Sequence, residues 1–127
     1  MNSQAELQRL VAMAEHSKLD IAELKRHAAL THGTFDGLAN DISLFVARAY
    51  DTGTMTFEGA DHVMNVLFGL ICSQPPEELV IPEITHEVYD AFDQGEYYHD
   101  DDSRDVDPEQ KYTRPMVRAA LQKYREQ

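Results

Sequence analysis

An all-α domain is what this sequence predicts, and three observations carry that expectation. Apolar residues recur at three- and four-residue spacing through most of the 127 positions. Few segments alternate with period two, and residues suited to helix capping stand just before most of the apolar runs. A chain of this length fits one compact domain, large enough to bury a core without metals or disulfides. The expected architecture is a single bundle of five to seven helices over residues 1–127, with an acidic loop before the last helix.

Ser3 and Glu6 have the spacing of a capping box, and Leu7, Leu10, Val11 and Ala14 form the apolar stripe of a first helix. Ser17 with Asp20 has the spacing to start a second, carrying Ile21, Leu24 and Ala28. The positions Leu7, Leu10, Ala14, Ser17, Ile21, Leu24 and Ala28 also keep one heptad register, so a single long helix is an open alternative. In "THGT", Gly33 reads as a C-cap and Thr34 as the next N-cap. A helix from about Asp36 to Asp51 then buries Leu38, Ile42, Phe45 and Ala49, and Gly53 stops it.

Thr56 caps a helix that runs to about Cys72. Its second half, "VMNVLFGLIC", is apolar nearly all round, the pattern of a buried central helix. "SQPPEELVIP" is a loop, because its prolines do not fit a helix interior. Pro82 suits the first turn of another helix, with Ile81, Ile84, Val88, Ala91 and Phe92 as its stripe and Gly95 at its end. Asp107, Pro108 and Glu109 read as N-cap, N1 and N2 of a short turn. Thr113 and Pro115 then open a last helix with Val117, Ala120, Leu121 and Tyr124 inward.

Charge is distributed very unevenly. The net charge is −12, with residues 1–48 at −1, residues 49–109 at −15 and residues 110–127 at +4. Between Arg48 and Arg104 lie 55 residues without a lysine or arginine. Such a balance argues against nucleic acid or an anionic membrane as ligand, since both require a basic surface. No apolar run approaches the roughly 20 residues that cross a bilayer, and the start, "MNSQAELQRL", lacks the basic and apolar regions of a signal peptide. With a single cysteine, Cys72, no internal disulfide forms; a cytoplasmic protein and a buried thiol are the expectations.

The densest acidic stretch is "EYYHDDDSRDVDPE", residues 96–109, with seven carboxylates against one arginine. A calcium loop needs oxygen ligands at positions 1, 3 and 5, glycine at 6 and glutamate at 12. Starting at Asp101 puts Val106 at the glycine position and Tyr112 at the glutamate position, and starting at Asp100 puts Arg104 on position 5; neither frame fits. Glu83 and His86 form one Glu-x-x-His, with Glu58 and His62 at i,i+4 on the preceding helix. These four are the candidate ligands of a small metal-dependent enzyme, although a bundle di-metal site needs a second Glu-x-x-His, which is absent. Cys72 falls at a helix C-terminus, where the dipole raises a thiol pKa, and neither a phosphate loop nor a nucleophile elbow occurs.

A contact surface for a basic partner is the remaining reading. Glu83, Glu87, Asp90 and Gln94 share the helix face opposite the apolar stripe and lead into the acidic run. The expected partner-binding residues are Glu87, Asp90, Asp93, Glu96, Tyr97, Tyr98, Asp100, Asp101, Asp102 and Asp105. Tyrosines among carboxylates supply rigid apolar area and a hydroxyl, as interface centres do, although one of Tyr97 and Tyr98 is expected to pack inward. Arg104 is expected to pair with neighbouring aspartates. Lys111, Arg114, Arg118, Lys123 and Arg125 are placed to fold back on the acidic region and offset its self-repulsion.

The block "EVYDAFDQGEYYHDDDSRDVDPEQKYTRP" looks like one that recurs in small bacterial proteins of undefined function. In size, acidity and expected location the chain resembles cytoplasmic immunity proteins that neutralise bacterial toxin domains, such as those of contact-dependent inhibition systems. That resemblance implies a non-enzymatic, cofactor-free binding protein. Its acidic face would occupy the basic cleft of a nuclease-type toxin and exclude the nucleic acid. A third alternative is a regulatory or structural module whose acidic loop serves solubility alone.

Overall fold

The computed structural model describes residues 2–31 and 33–125. Among them are six α-helices and no strand: α1 (Gln4–Glu15), α2 (Ile21–Leu30), α3 (Phe35–Asp51), α4 (Phe57–Cys72), α5 (Glu83–Gln94) and α6 (Arg114–Lys123). A 3₁₀ turn at Pro76–Glu78 follows α4, and a π-helical turn at Glu109–Thr113 leads into α6. The expected all-α bundle is the observed one.

Local chemistry sets most of the helix starts. The hydroxyls of Ser3, Thr34 and Thr56 accept from the backbone N–H of Glu6, Gly37 and Gly59, three residues on. Each satisfies an otherwise orphaned donor, an effect of about 1 kcal/mol. Gly53 has φ +83 and ends α3, a conformation glycine takes without steric cost. Gly33 donates back to Ala28 O at 2.9 Å and so helps close the end of α2.

The continuous helix that the heptad register allows does not form. Ser17 takes φ +57, Lys18 N–H turns back to Met13 O, and Asp20 rather than Ser17 caps α2 by accepting from Glu23 N–H at 2.8 Å. The break lets Leu19 bury, which a straight helix through this segment would not require.

Helices α3, α4 and α5 pack on one another at the centre, α1 lies across α3 and α4, and α6 closes against α3 and α5. Their inward faces make one core, with Phe92, Leu10, Leu24, Leu38, Ile42, Met64 and Leu67 among its fully enclosed side chains. Burying each such side chain contributes about 1.5–3 kcal/mol. A polar tie crosses the α3–α5 contact, where Thr85 donates from N–H and hydroxyl to Asn40 Oδ1 at 3.1 and 3.2 Å. Ser43 Oγ stands 3.0 Å from the Thr85 hydroxyl.

Three burial expectations are corrected. Helix α3 turns Ala39, Val46, Ala47 and Tyr50 inward, leaving Phe45 and Ala49 half-buried, because it is covered by α1, α5 and α6 on a wider face. Helix α4 is not enclosed all round: Asn65, Gly69 and Cys72 are exposed, and Val66, Phe68 and Leu70 are half-covered. Cys72 is therefore a surface thiol at the helix end. Leu121 is half-buried at the edge of α6, while Val117, Ala120 and Tyr124 face inward.

Candidate functional site

The segment from Glu96 to Pro108 joins α5 to the π turn and folds on itself through a few definite contacts. Asp102 anchors it: its carboxylate accepts from Tyr112 OH at 2.6 Å and from Lys111 Nζ. Those two donors hold the Asp102 carboxyl below the usual range, the Lys111 contact first. A stack of rings closes the base, with His99 between Tyr97 (centroids 4.5 Å apart) and Tyr112 (3.9 Å). His99 Nε2 also lies 2.9 Å from Gln94 O, and Asp107 Oδ1 accepts from Glu109 N–H at 3.0 Å, the cap expected of "DPE".

The π turn brings Glu109 to Tyr50. Tyr50 OH donates to Glu109 Oε2 at 2.6 Å, and Arg114 sits 5.1 Å above the Tyr50 ring and 3.5 Å from the same carboxylate oxygen. Burial, then the Glu109 carboxylate, pushes the Tyr50 hydroxyl pKa upward. Thr113 is buried, and its hydroxyl donates to Ala91 O at 2.7 Å instead of capping α6. Gly95 packs directly on it.

Four of the five bases in residues 110–127 turn back on acids, as their placement suggests. Lys111 meets Asp102, Arg114 meets Glu109, Arg118 meets Asp51 at 3.2 Å, and Lys123 meets Glu87 at 2.6 Å with Glu83 at 3.8 Å. Tyr124 OH lies 2.8 Å from Glu87 Oε1 and 3.1 Å from Glu83 Oε1. Burial pushes the Glu87 carboxyl up, but Lys123 and Tyr124 together hold it below its ordinary value.

The ten expected partner-binding residues thus divide. Glu87 is committed to α6, and Asp90 accepts from Gln94 at 3.2 Å beside the same seam. Asp93 and Glu96 face α4, where Asn65 Nδ2 donates to Glu96 Oε2 at 3.1 Å. Asp102 is spent on the loop's own anchor. Asp100, Asp101 and Asp105 are exposed and have no ion-pair partner among the described residues. Tyr97 and Tyr98 are 47% and 50% exposed, so neither packs into the core, contrary to the expectation that one of them turns inward. Arg104 makes no aspartate pair; its guanidinium lies 4.9 Å over the Tyr98 ring.

The alternative metal set is not brought together. Glu83 turns to Tyr124, His62 Nε2 contacts Ser17 Oγ at 3.0 Å, and His86 is exposed. Among the described residues no group of three or more His, Cys, Asp or Glu side chains is gathered as a metal ion requires.

The α4–α5 seam carries no signal in the sequence. Asp61 and Asn65, one helical turn apart, stand with Phe68 facing Tyr89, Asp93 and Glu96, and Phe68 stacks on Tyr89 at 3.8 Å. Asp61 Oδ1 is enclosed without a hydrogen-bond partner among the described residues. Burial, then contact with the Glu96 carboxyl, raises the Asp61 pKa to about 8, with the Asn65 amide partly offsetting. No periodicity announces a carboxylate pair joined across two helices.

The geometry defines a six-helix domain whose C-terminal helix neutralises part of an acidic face and whose loop presents tyrosines and unpaired aspartates outward. No protein-family model matches the chain, and neither a curated protein nor a solved structure matches it. None of the described helices is long and apolar enough to cross a membrane.

Proposed function

We propose that this protein is a non-enzymatic, cytoplasmic binding protein of the immunity type, which neutralises a basic, nuclease-type toxin domain through its acidic loop. One observation carries the reading. Internal pairing consumes Asp51, Glu83, Glu87, Asp102 and Glu109, yet among the described residues leaves Asp100, Asp101 and Asp105 without cations, beside two half-exposed tyrosines. Like charges held this close raise the free energy of the fold, so solubility alone is a weak reason for placing them on an anchored loop. A basic cleft would offset that repulsion on binding, and the field of the loop would steer the encounter.

Genome neighbourhood and binding test it together. A reading frame beside this one should encode a basic secreted domain that binds the chain, with affinity falling steeply between 50 and 500 mM salt (experimental settings of roughly these values span the screening range). Asp100→Asn, Asp101→Asn and Asp105→Asn combined should weaken that binding at least about tenfold. Binding indifferent to both salt and the triple replacement would overturn the reading.

A further inference from the structure

Between the N-terminal turn of α4 and the base of the acidic loop lies an open cleft of about 260 Å³. Phe57, Tyr97 and Tyr98 line it together with Glu96, Asp107 and Glu109. The volume is just below the ~300–1,000 Å³ of small-molecule sites, so it suits one side chain of a partner rather than a cofactor. Aromatic rings combined with carboxylates, and no cation among the described lining residues, favour an organic cation.

The carboxylates differ in what they have left to offer. Glu109 is already shared between Tyr50 and Arg114. Asp107 uses Oδ1 on a backbone N–H, which leaves Oδ2 as an acceptor at the cleft, whereas Glu96 accepts from Asn65 through Oε2 and also contacts Asp61, so that it offers the cleft mainly its charge. A planar guanidinium, with several donors in a fixed fork, matches dispersed acceptors and ring faces better than a compact ammonium does. The chain supplies its own example, since Arg104, the only lysine or arginine between Arg48 and Lys111, lies over the Tyr98 ring without an acidic partner among the described residues.

From this geometry we infer that the cleft is an arginine-acceptor subsite, taking a guanidinium side chain from the basic protein partner against Phe57, Tyr97 and Tyr98, with Asp107 as its acceptor and the Glu96 charge beside it. The inference rests on the basic-partner reading and assigns the chemistry of one contact within it.

The test uses the full 127-residue protein and small probes, so it needs no partner. Nα-acetyl-arginine amide, titrated against the ¹⁵N-labelled chain at neutral pH, should bind with a Kd on the order of 1–10 mM. It should shift the amides of Gly95, Glu96, Tyr98 and Asp107, while Nα-acetyl-lysine amide binds at least about threefold more weakly and the glutamine analogue does not bind. Asp107→Asn, which keeps the capping oxygen, and Tyr98→Ala, at an exposed position, should each weaken the arginine probe about fivefold. Equal shifts with lysine and arginine spread over the whole acidic surface, or no shifts at the cleft, would sink the inference. Localised arginine binding with no binding of any basic domain would instead defeat the immunity reading alone. A basic domain held through Asp100, Asp101 and Asp105 with the probe silent would defeat the cleft alone.

Discussion

Gly95 and Thr113 approach so closely that a β-carbon built on the glycine would lie 2.1 Å from Thr113 Oγ1 and 3.0 Å from Phe57 Cε1. The end of α5 therefore seats against the π turn only because residue 95 has no side chain. The backbone itself is ordinary, with φ −86, so space and not conformation demands the glycine. Gly95→Ala should cost about 1–3 kcal/mol, the usual penalty of forcing an extra methyl into a packed contact. Urea unfolding checks it, and adding Thr113→Ala should recover part of the loss by removing the nearest atom, although Ala91 O then loses its donor.

What the sequence made legible divides along physical lines. Caps at Ser3, Thr34 and Thr56, the stops at Gly53 and Gly95 and the stripe of α5 are local signals, and the chain obeys them. The fold-back of Lys111, Arg114, Arg118 and Lys123 was also readable, because only one dense acidic region exists for them to meet. The α1–α2 break was not, since heptad spacing fits one helix or two equally well and Ser17 decides it through its own φ. The exposure of both Tyr97 and Tyr98 depends on the His99 stack and the Asp102 anchor, which are tertiary contacts. The Asp61–Glu96 contact joins residues distant in sequence that carry no shared pattern.

Asp102 is expected to control the order of the acidic loop without controlling the fold. Asp102→Asn removes the charge that holds Lys111 and weakens the acceptor for Tyr112, so amides in residues 97–106 should lose hydrogen-exchange protection by roughly three- to tenfold. The urea midpoint should barely move, because the pair is at the surface. The Asp102 pKa is depressed, so its contribution is full above the ordinary aspartate value and is lost as pH falls through the lower, folded value. The wild-type loop should accordingly loosen only at acid pH, below about 4. A large fall in global stability in the variant would contradict the assignment of Asp102 to the loop alone.

At the α4–α5 seam the sign is opposite. Asp61 has its folded pKa raised to about 8 by burial, by Glu96 and by Asp93, with Asn65 partly offsetting. Tyr89 on the facing helix is itself pushed up by burial and by these acids. Between the unfolded and folded values the native chain binds a proton that the unfolded chain releases, so this pair withdraws stability as pH rises from about 4 to about 8. A proton on the pair would also give the enclosed Asp61 Oδ1 the bond it lacks. Asp61→Asn should therefore gain on the wild type as pH rises over that window, by about 1 kcal/mol at pH 8 after allowance for solvent screening. Parallel stability–pH curves for the two proteins would refute the shared-proton account.

The unpaired aspartates should show a cost in stability that their use in binding explains. Asp100, Asp101 and Asp105 stand within one short loop near Glu96 and Asp107 in sequence, with Arg104 turned to Tyr98 instead of to them. Replacing all three with asparagine removes mutual repulsion while leaving the Asp102 anchor and the ring stack untouched, so the melting temperature should rise by roughly 1–4 °C at low salt. Added sodium chloride screens the same repulsion, the Debye length falling from about 10 Å at 0.1 M to about 3 Å at 1 M. The wild type should thus gain more from salt than the variant does, and the two melting curves should converge near 1 M. A triple variant that is less stable than the wild type at low salt would mean that these carboxylates hold the loop together, and the case for keeping them as a partner's contact would fall with that result.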